Sequence, residues 1–481
     1  MQPQCCSRSI FSFTASKIKF GKQCDKLPER NSIVPHIFLL LSIIFAAYPC
    51  FAGFLDYREI ITDSINYSAS LRVKKQDVYI SEAQYKSNFA QLYPAINLGG
   101  RSERYENLDH RNDTGINTIG NEVIGGNQSA WKASLSVTGQ YYLSHWYKKR
   151  FEARYYEKIL DSSTHECEME EKKIIREVTD IFRSIAEGKI KLKYTNEILT
   201  RLKEIYKLKK EAFARGQFSR EDVLKAEADV LSTQKDIISL NKELRENFEN
   251  LNNYTGKSYS TDMEISALPF NGQISVADEK RIIAQTPEYK ARMKELEAFR
   301  FKEKFTGNNF LPDISIYGRY DLYNSSQNSI DDSFHDVRPA DYSVGFYINL
   351  PLFDGGARKW EREKTIHELK KAEENARLVF NEKNKDIKTL RIGYIELSKS
   401  YVNYKNLNGQ YKKIIDINKK SKLMGEKSNL DIIELEKDAL AVERDLKIVE
   451  NSMAVYEKQF LLELNFNEFV GNYGGNGTCK H

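Results

Sequence analysis

At Leu350-Pro351-Leu352-Phe353-Asp354-Gly355-Gly356-Ala357-Arg358 the hydrophobic period of this chain changes from two residues to about three and a half. Upstream, Val344, Phe346, Ile348 and Leu350 alternate with Ser343, Gly345, Tyr347 and Asn349, the pattern of a strand with one apolar face. Downstream, Leu390, Tyr394, Leu397, Tyr401, Tyr404, Asn408, Tyr411 and Ile415 recur at three-four spacing, the seam of a coiled coil. Pro351 and Phe353 suit the end of the strand, Asp354 offers an N-cap-like carboxylate, and Gly355-Gly356 supplies a flexible turn. The fold must therefore run a half-apolar strand straight into a long helix.

The same alternation of helix and strand runs through the rest of the chain. No proline occurs between Pro94 and Pro269 or after Pro351, and 29% of the residues are charged, which favours long solvated helices over one large globular core. Strands are expected at about 93–103, 131–142, 312–323 and 342–352, with helices over 53–91, 144–215, 219–255, 277–308, 357–422 and onward to about 464. Polar loops separate the strands of each pair, at 104–130 and 324–341. The glycine-rich stretch Gly471-Asn472-Tyr473-Gly474-Gly475-Asn476-Gly477 marks 466–481 as a flexible tail.

Two halves, 53–276 and 277–465, repeat one plan of helix, two strands and helical hairpin. Leu92-Tyr93-Pro94-Ala95-Ile96 corresponds to Phe310-Leu311-Pro312-Asp313-Ile314 at an offset of 218 residues. Gly216, Ser219, Asp222 and Leu224 correspond to Gly425, Ser428, Asp431 and Ile433 at an offset of 209, with Gly216 and Gly425 at the hairpin turns. Insertions in the polar loops account for most of the difference.

Residues 1–52 read as an export signal. Ile37 to Tyr48 is an apolar run behind Arg8, Lys17, Lys19, Lys22, Lys26 and Arg30, and Cys50-Phe51-Ala52 is an acceptable cleavage site; a membrane anchor or a buried helix is the competing reading. This segment carries +4 of the formal net charge of +5, so the remainder is nearly neutral and lacks the basic footprint of a nucleic-acid binder. Four of six cysteines fall in it as well, leaving Cys167 and Cys479, too far apart to suggest a disulfide framework. The histidines form no His-x-x-x-His pair, and neither a phosphate loop nor a nucleophile elbow occurs, so no enzyme, metal or cofactor is expected.

Each strand has the length that a tilted strand needs to cross a bilayer, and Tyr93, Trp131, Tyr141, Tyr142, Trp146, Tyr320, Tyr323 and Tyr342 crowd the positions of interfacial girdles. Four strands cannot close a membrane barrel, because an open edge leaves backbone groups unpaired in hydrocarbon. Several copies must therefore assemble.

The Leu-Pro-Leu-Phe-Asp-Gly-Gly junction, the turn Gly425-Glu426-Lys427-Ser428-Asn429-Leu430-Asp431 and its first-half counterpart Gly216-Gln217-Phe218-Ser219-Arg220-Glu221-Asp222 resemble the TolC-type outer-membrane factors. The resemblance covers about Tyr57 to Leu464. It implies a mainly helical fold with a membrane β-barrel: a homotrimer with a 12-stranded barrel in outer-membrane lipid and a periplasmic helical tunnel. The implied role is the passive exit duct of a tripartite efflux pump or type I secretion system, with a periplasmic adaptor protein and an inner-membrane transporter as partners. By the same resemblance Asp431 and Glu434 would form acidic rings at the tunnel's narrow end, and Asp222 with Lys427 a latch. Two positions depart from the pattern: Lys422 replaces a frequent latch tyrosine, and Tyr142-Leu143-Ser144-His145-Trp146 lacks the Asp-Gly-Gly of the second half. A trimeric coiled-coil surface adhesin anchored by a barrel is the alternative.

Overall fold

The computed structural model describes residues 54–106, 117–119, 122–124, 130–266, 268, 279–335, 337–472 and 479. The expected export signal lies outside the described residues. In chain order the elements are β1 (Phe54–Leu55), α1 (Tyr57–Tyr67), α2 (Ala69–Ala90), β2 (Ala95–Tyr105), β3 (Asn117–Ile119), β4 (Glu122–Ile124), β5 (Ala130–Tyr142), α3 (Lys149–Ala214), α4 (Arg220–Thr255) and β6 (Glu264–Ile265). The second half continues with α5 (Glu279–Gln285), α6 (Pro287–Asn308), β7 (Asp313–Ser326), α7 (Ile330–His335), β8 (Arg338–Asn349), α8 (Ala357–Leu423), α9 (Asn429–Leu464) and α10 (Phe466–Asn472). A 3₁₀ turn, Leu143–Trp146, joins β5 to α3.

The expected elements are present, with local differences that have physical causes. The first helix divides at Ser68, whose Oγ accepts from the Leu71 N–H and so starts α2. The helix expected over 277–308 divides at Thr286, because Pro287 has no N–H to continue it and opens α6 instead. The last strand ends at Asn349, not 352, where its partner β7 begins at Asp313. The short antiparallel pair β3–β4 and the parallel pair β1–β6 have no counterpart in the sequence pattern, since two- and three-residue strands carry no period.

β2, β5, β7 and β8 form one antiparallel sheet in that order, joining the two halves through β5–β7. The register aligns the apolar positions: Leu98, Val137, Tyr320 and Tyr342 lie in one row, and Tyr141, Ile316 and Phe346 in another. The polar positions Asn97, Thr138, Arg319 and Ser343 line up on the opposite face. A one-residue slip anywhere would turn a strand's apolar side the wrong way, so the alternation fixes the pairing. The same parity puts Tyr142 and Tyr323 on the polar face, which removes them from an outer aromatic girdle.

α3 and α8, 66 and 67 residues long, are rods of about 100 Å. Next to the sheet the helices pack in the order α2–α3–α6–α8, and toward the hairpin turns in the order α4–α3–α9–α8. The α8 seam from Leu390 to Ile415 is buried or half-buried, as its spacing predicts, while Ile392, Ile395 and Val402 on the flank are exposed. The main core gathers Tyr57, Ile60, Ile61, Ile175, Val178, Phe182, Ile185, Phe248 and Val455 at the level where the short helices meet α3.

The end of the chain departs from the sequence expectation in two places. Residues 466–472 are not slack but form α10, whose Phe466, Phe469 and Val470 are buried in that core. Cys479 is disulfide-bonded to Cys167 across 312 residues of sequence. Neither feature has a sequence signature, because both depend on where α10 lands.

Candidate functional site

The two hairpin turns share one chemistry. At the end of α3, the Gly216 N–H donates to Phe213 O and the Gln217 N–H to Ala212 O, at 2.9 and 3.0 Å. At the end of α8, Gly425 donates to Lys422 O and Glu426 to Ser421 O, both at 3.0 Å. Each is the paired-bond C-terminal stop that needs a left-handed residue after the helix, and Gly216 and Gly425 supply it with φ of 72° and 81°. The next helix then starts on a capping box. The Ser219 Oγ accepts from the Asp222 N–H at 3.1 Å while Asp222 accepts from the Ser219 N–H at 3.0 Å. Ser428 and Asp431 repeat this at 3.2 and 3.0 Å. The duplicated Gly-x-x-Ser-x-x-Asp is thus a stop signal followed by a start signal.

This geometry locates the residues expected to gate. The Ser219 hydroxyl and N–H hold the Asp222 carboxyl below its usual range, and the Ser428 N–H and hydroxyl do the same for Asp431. Both carboxylates are therefore ionised in any near-neutral medium, and each spends one oxygen on its own helix. Glu434 sits one turn further along α9 and pairs with Lys209 of α3 at 3.2 Å, linking the two halves. Glu436 bridges Arg201 of α3 and Lys419 of α8, at 3.4 and 3.0 Å. Behind these pairs Leu202, Ile205 and Ile433 form a small core. Among the described residues no ion pair joins Asp222 to Lys427 within the chain. Lys209, which sequence reasoning missed, could have been noticed only from the packing of α3 on α9.

Ser428→Ala is expected to cost about 1 kcal/mol of α9 stability, read as faster amide exchange at residues 429–432. In the unsubstituted chain the cap depends on an ionised Asp431 with a depressed pKa. Its contribution is complete above the ordinary carboxyl value and is lost only as pH falls through the lower folded one.

The junctions between sheet and helices are bonded as closely. Gly356, with φ of 89°, is the formal N-cap of α8, but the capping carboxylate comes from Asp354, which accepts from the Gly356 and Arg358 N–H groups at 3.0 and 3.1 Å. Arg358 returns its guanidinium to Asp354 at 2.6 Å and to Pro351 O at 2.7 Å, and lies over the Phe310 ring. Phe353 is 88% exposed and so is Leu352, which leaves an apolar collar beneath the sheet. In the first half α3 has no side-chain cap; Lys148 and Ser144 instead bond Asp313 of β7 through their side chains, at 2.7 and 3.3 Å, and tie the start of α3 to the sheet.

At mid-height four helices meet in a buried charge network. Lys172 of α3 donates to Glu463 of α9 at 2.6 Å and to Glu288 of α6 at 3.1 Å, Lys383 of α8 reaches Glu288 at 3.0 Å, and Arg176 also bonds Glu463. Burial alone would raise the Glu288 carboxyl, but Lys172 and Lys383 outweigh it and hold it near 2. Lys383, which burial would lower, is raised instead by Glu288 and Glu463.

Residues 60–257, most of the first half, match the family model of the outer membrane efflux proteins. Over that stretch the chain carries an outer membrane efflux protein domain. That match makes the chain an outer-membrane channel with a periplasmic helical part, an exit duct of an efflux system. Solved structures extend the fold to both halves. The CmeC outer membrane channel of Campylobacter jejuni, 16% identical, aligns with a TM-score of 0.69 over 88% of this chain and 87% of its own. The outer membrane protein VceC of Vibrio cholerae, 14% identical, aligns at 0.69 over 85% of this chain and 95% of its own. The open state of the MtrE channel of Neisseria gonorrhoeae, also 14% identical, aligns at 0.63 over 85% and 88%. No curated protein matches the chain.

Proposed function

We propose that the channel works as a homotrimer in which twelve strands close one barrel and twelve helical columns close one tunnel. It would dock by its hairpin turns on a periplasmic adaptor protein and an inner-membrane transporter. The observation that carries this reading is the pair of free edges on the protomer. One edge runs along β2, α2 and α4, the other along β8 and α8, and among the described residues neither packs on the other within the chain. Pairing each β8 with the β2 of the next copy satisfies the backbone groups that lipid cannot. The same rotation sets α8 against the neighbouring α2 and α4. A strand block at one end, as an anchored adhesin would have, does not fit an order in which strands alternate with helices in each half. The channel carries no catalytic step of its own in this reading; the transporter supplies the energy.

The edge arrangement also gives the gate a geometry. Asp222 at the start of α4 and Lys427 in the α8–α9 turn lie on opposite edges of the ribbon, so a latch between them closes between copies. Lys209–Glu434 would be a second latch inside each copy. Asp431 and Glu434, three times over, would make the cation-favouring constriction.

Crosslinking of the purified protein in detergent tests the assembly, and a strictly monomeric product would end it. Planar-bilayer conductance tests the gate. Asp431→Ala/Glu434→Ala is expected to raise conductance and relieve block by a trivalent cation. If three exposed pairs contribute about 1 kcal/mol each and act together, the open-to-closed ratio rises roughly a hundredfold. Unchanged conductance and unchanged block would remove both residues from the gate.

A further inference from the structure

Beyond residue 52 the sequence contains two cysteines, and the fold brings them together from 312 residues apart. Cys167 is fully buried on α3, and Cys479 is 5% exposed. Between α9 and Cys479, α10 seats Phe466, Phe469 and Val470 on the core that also holds Cys167. We propose that this pair is an oxidative modification site. The chain would be a substrate for a protein disulfide donor in the periplasm, and the bond would tie Cys479, beyond α10, to α3 and so the end of the second half to the first.

The burial dictates the order of events. Once α10 and Cys479 are seated, neither sulfur is within reach of another protein, so a donor can meet Cys167 only while they are off the core. Buried Glu168 and Glu171 lie within a turn of Cys167, and a Glu171 oxygen is 3.9 Å from the Cys479 Sγ. The Cys167 thiolate attacks the donor disulfide, forming a mixed disulfide and releasing one donor thiolate. The Cys479 thiolate then attacks the Cys167 Sγ and the second donor thiolate leaves. Two electrons pass from the chain's thiols to the donor, which ends as a dithiol holding the two protons.

The test uses the full-length protein, extracted from membranes, denatured and treated with a maleimide before or after reduction. Neither cysteine should take the label before reduction and both should take it after; labelling of both without reduction overturns the site. In Cys479→Ser the second step has no thiolate to make it and the released donor thiolate reverses the first, so Cys167 should take the label without reduction. A Cys167 still closed to the label in that variant, and carrying no protein adduct, overturns the pairing. Reductant should lower the melting midpoint of the wild type and leave that of Cys167→Ser/Cys479→Ser unmoved. Equal responses overturn the tie.

Discussion

Lys172→Met is expected to destabilise the protomer by about 3–5 kcal/mol, the cost of stripping a buried ion pair of one partner. Lys172 is 1% exposed and, among the described residues, is the one cation with ion pairs to both Glu463 and Glu288. Glu463 is equally enclosed and sits in the last turn of α9, where the helix dipole already disfavours a negative charge. Arg176 would remain to it, but half exposed on one side. Methionine fills much of the space and supplies no charge, so the loss measured is electrostatic rather than a cavity. Lys172→Met/Glu463→Leu should recover most of the stability, since removing both charges avoids the uncompensated one. The pH profile separates this network from ordinary packing. Glu288, depressed to about 2, contributes stability that is complete above its unfolded value and is lost as pH falls through the folded one. Lys383, raised above its ordinary value, contributes below that value and loses its contribution as pH rises through the folded one. The wild-type melting midpoint should therefore be flat across neutral pH. In Lys172→Met the Glu288 pKa climbs, and the acid loss should begin at a higher pH. A variant that melts like the wild type throughout would show the network to be solvated.

The sequence made the strand–helix alternation legible because each long element has a clean period, as in Val344 to Leu350 and Leu390 to Ile415. It made the hairpin turns legible for a different reason: Gly216, Ser219, Asp222 and their counterparts are capping residues, and capping is local chemistry written in consecutive positions. The charge network was hidden, because Lys172, Glu288, Lys383 and Glu463 each look like a solvated helix charge until four helices converge. The same holds for Cys167 and Cys479. In α4 the periodicity was visible but its partner was not. Leu224, Ala228, Leu231 and Ile238 form the obvious apolar stripe, yet the face that is buried within the chain is that of Ala226, Leu244, Phe248 and Leu251. The obvious stripe faces outward.

That outward stripe sets the second large expectation, that Leu231→Asp/Ile238→Asp abolishes both the detergent-stable oligomer and the conductance while leaving the protomer folded. Leu231 and Ile238 are 60% and 71% exposed in the single chain, so aspartate there meets water and should leave helicity by circular dichroism unchanged. In a closed ring they would face the neighbouring α8, where Ile392, Val402, Ile414 and Ile417 form the complementary exposed stripe. Each interface would lose two apolar side chains worth about 1.5–3 kcal/mol apiece on burial, and would enclose two carboxylates without partners at several kcal/mol more. In the proposed trimer three interfaces would carry that penalty together, since the ring would close only if all of them form. Opposite responses distinguish the two predictions: Lys172→Met weakens the protomer before assembly, whereas Leu231→Asp/Ile238→Asp spares the protomer and removes the channel. An intact heat-resistant oligomer with wild-type conductance in the double aspartate variant would mean that α4 faces periplasm rather than a neighbour, and the ring would have to close along other helices.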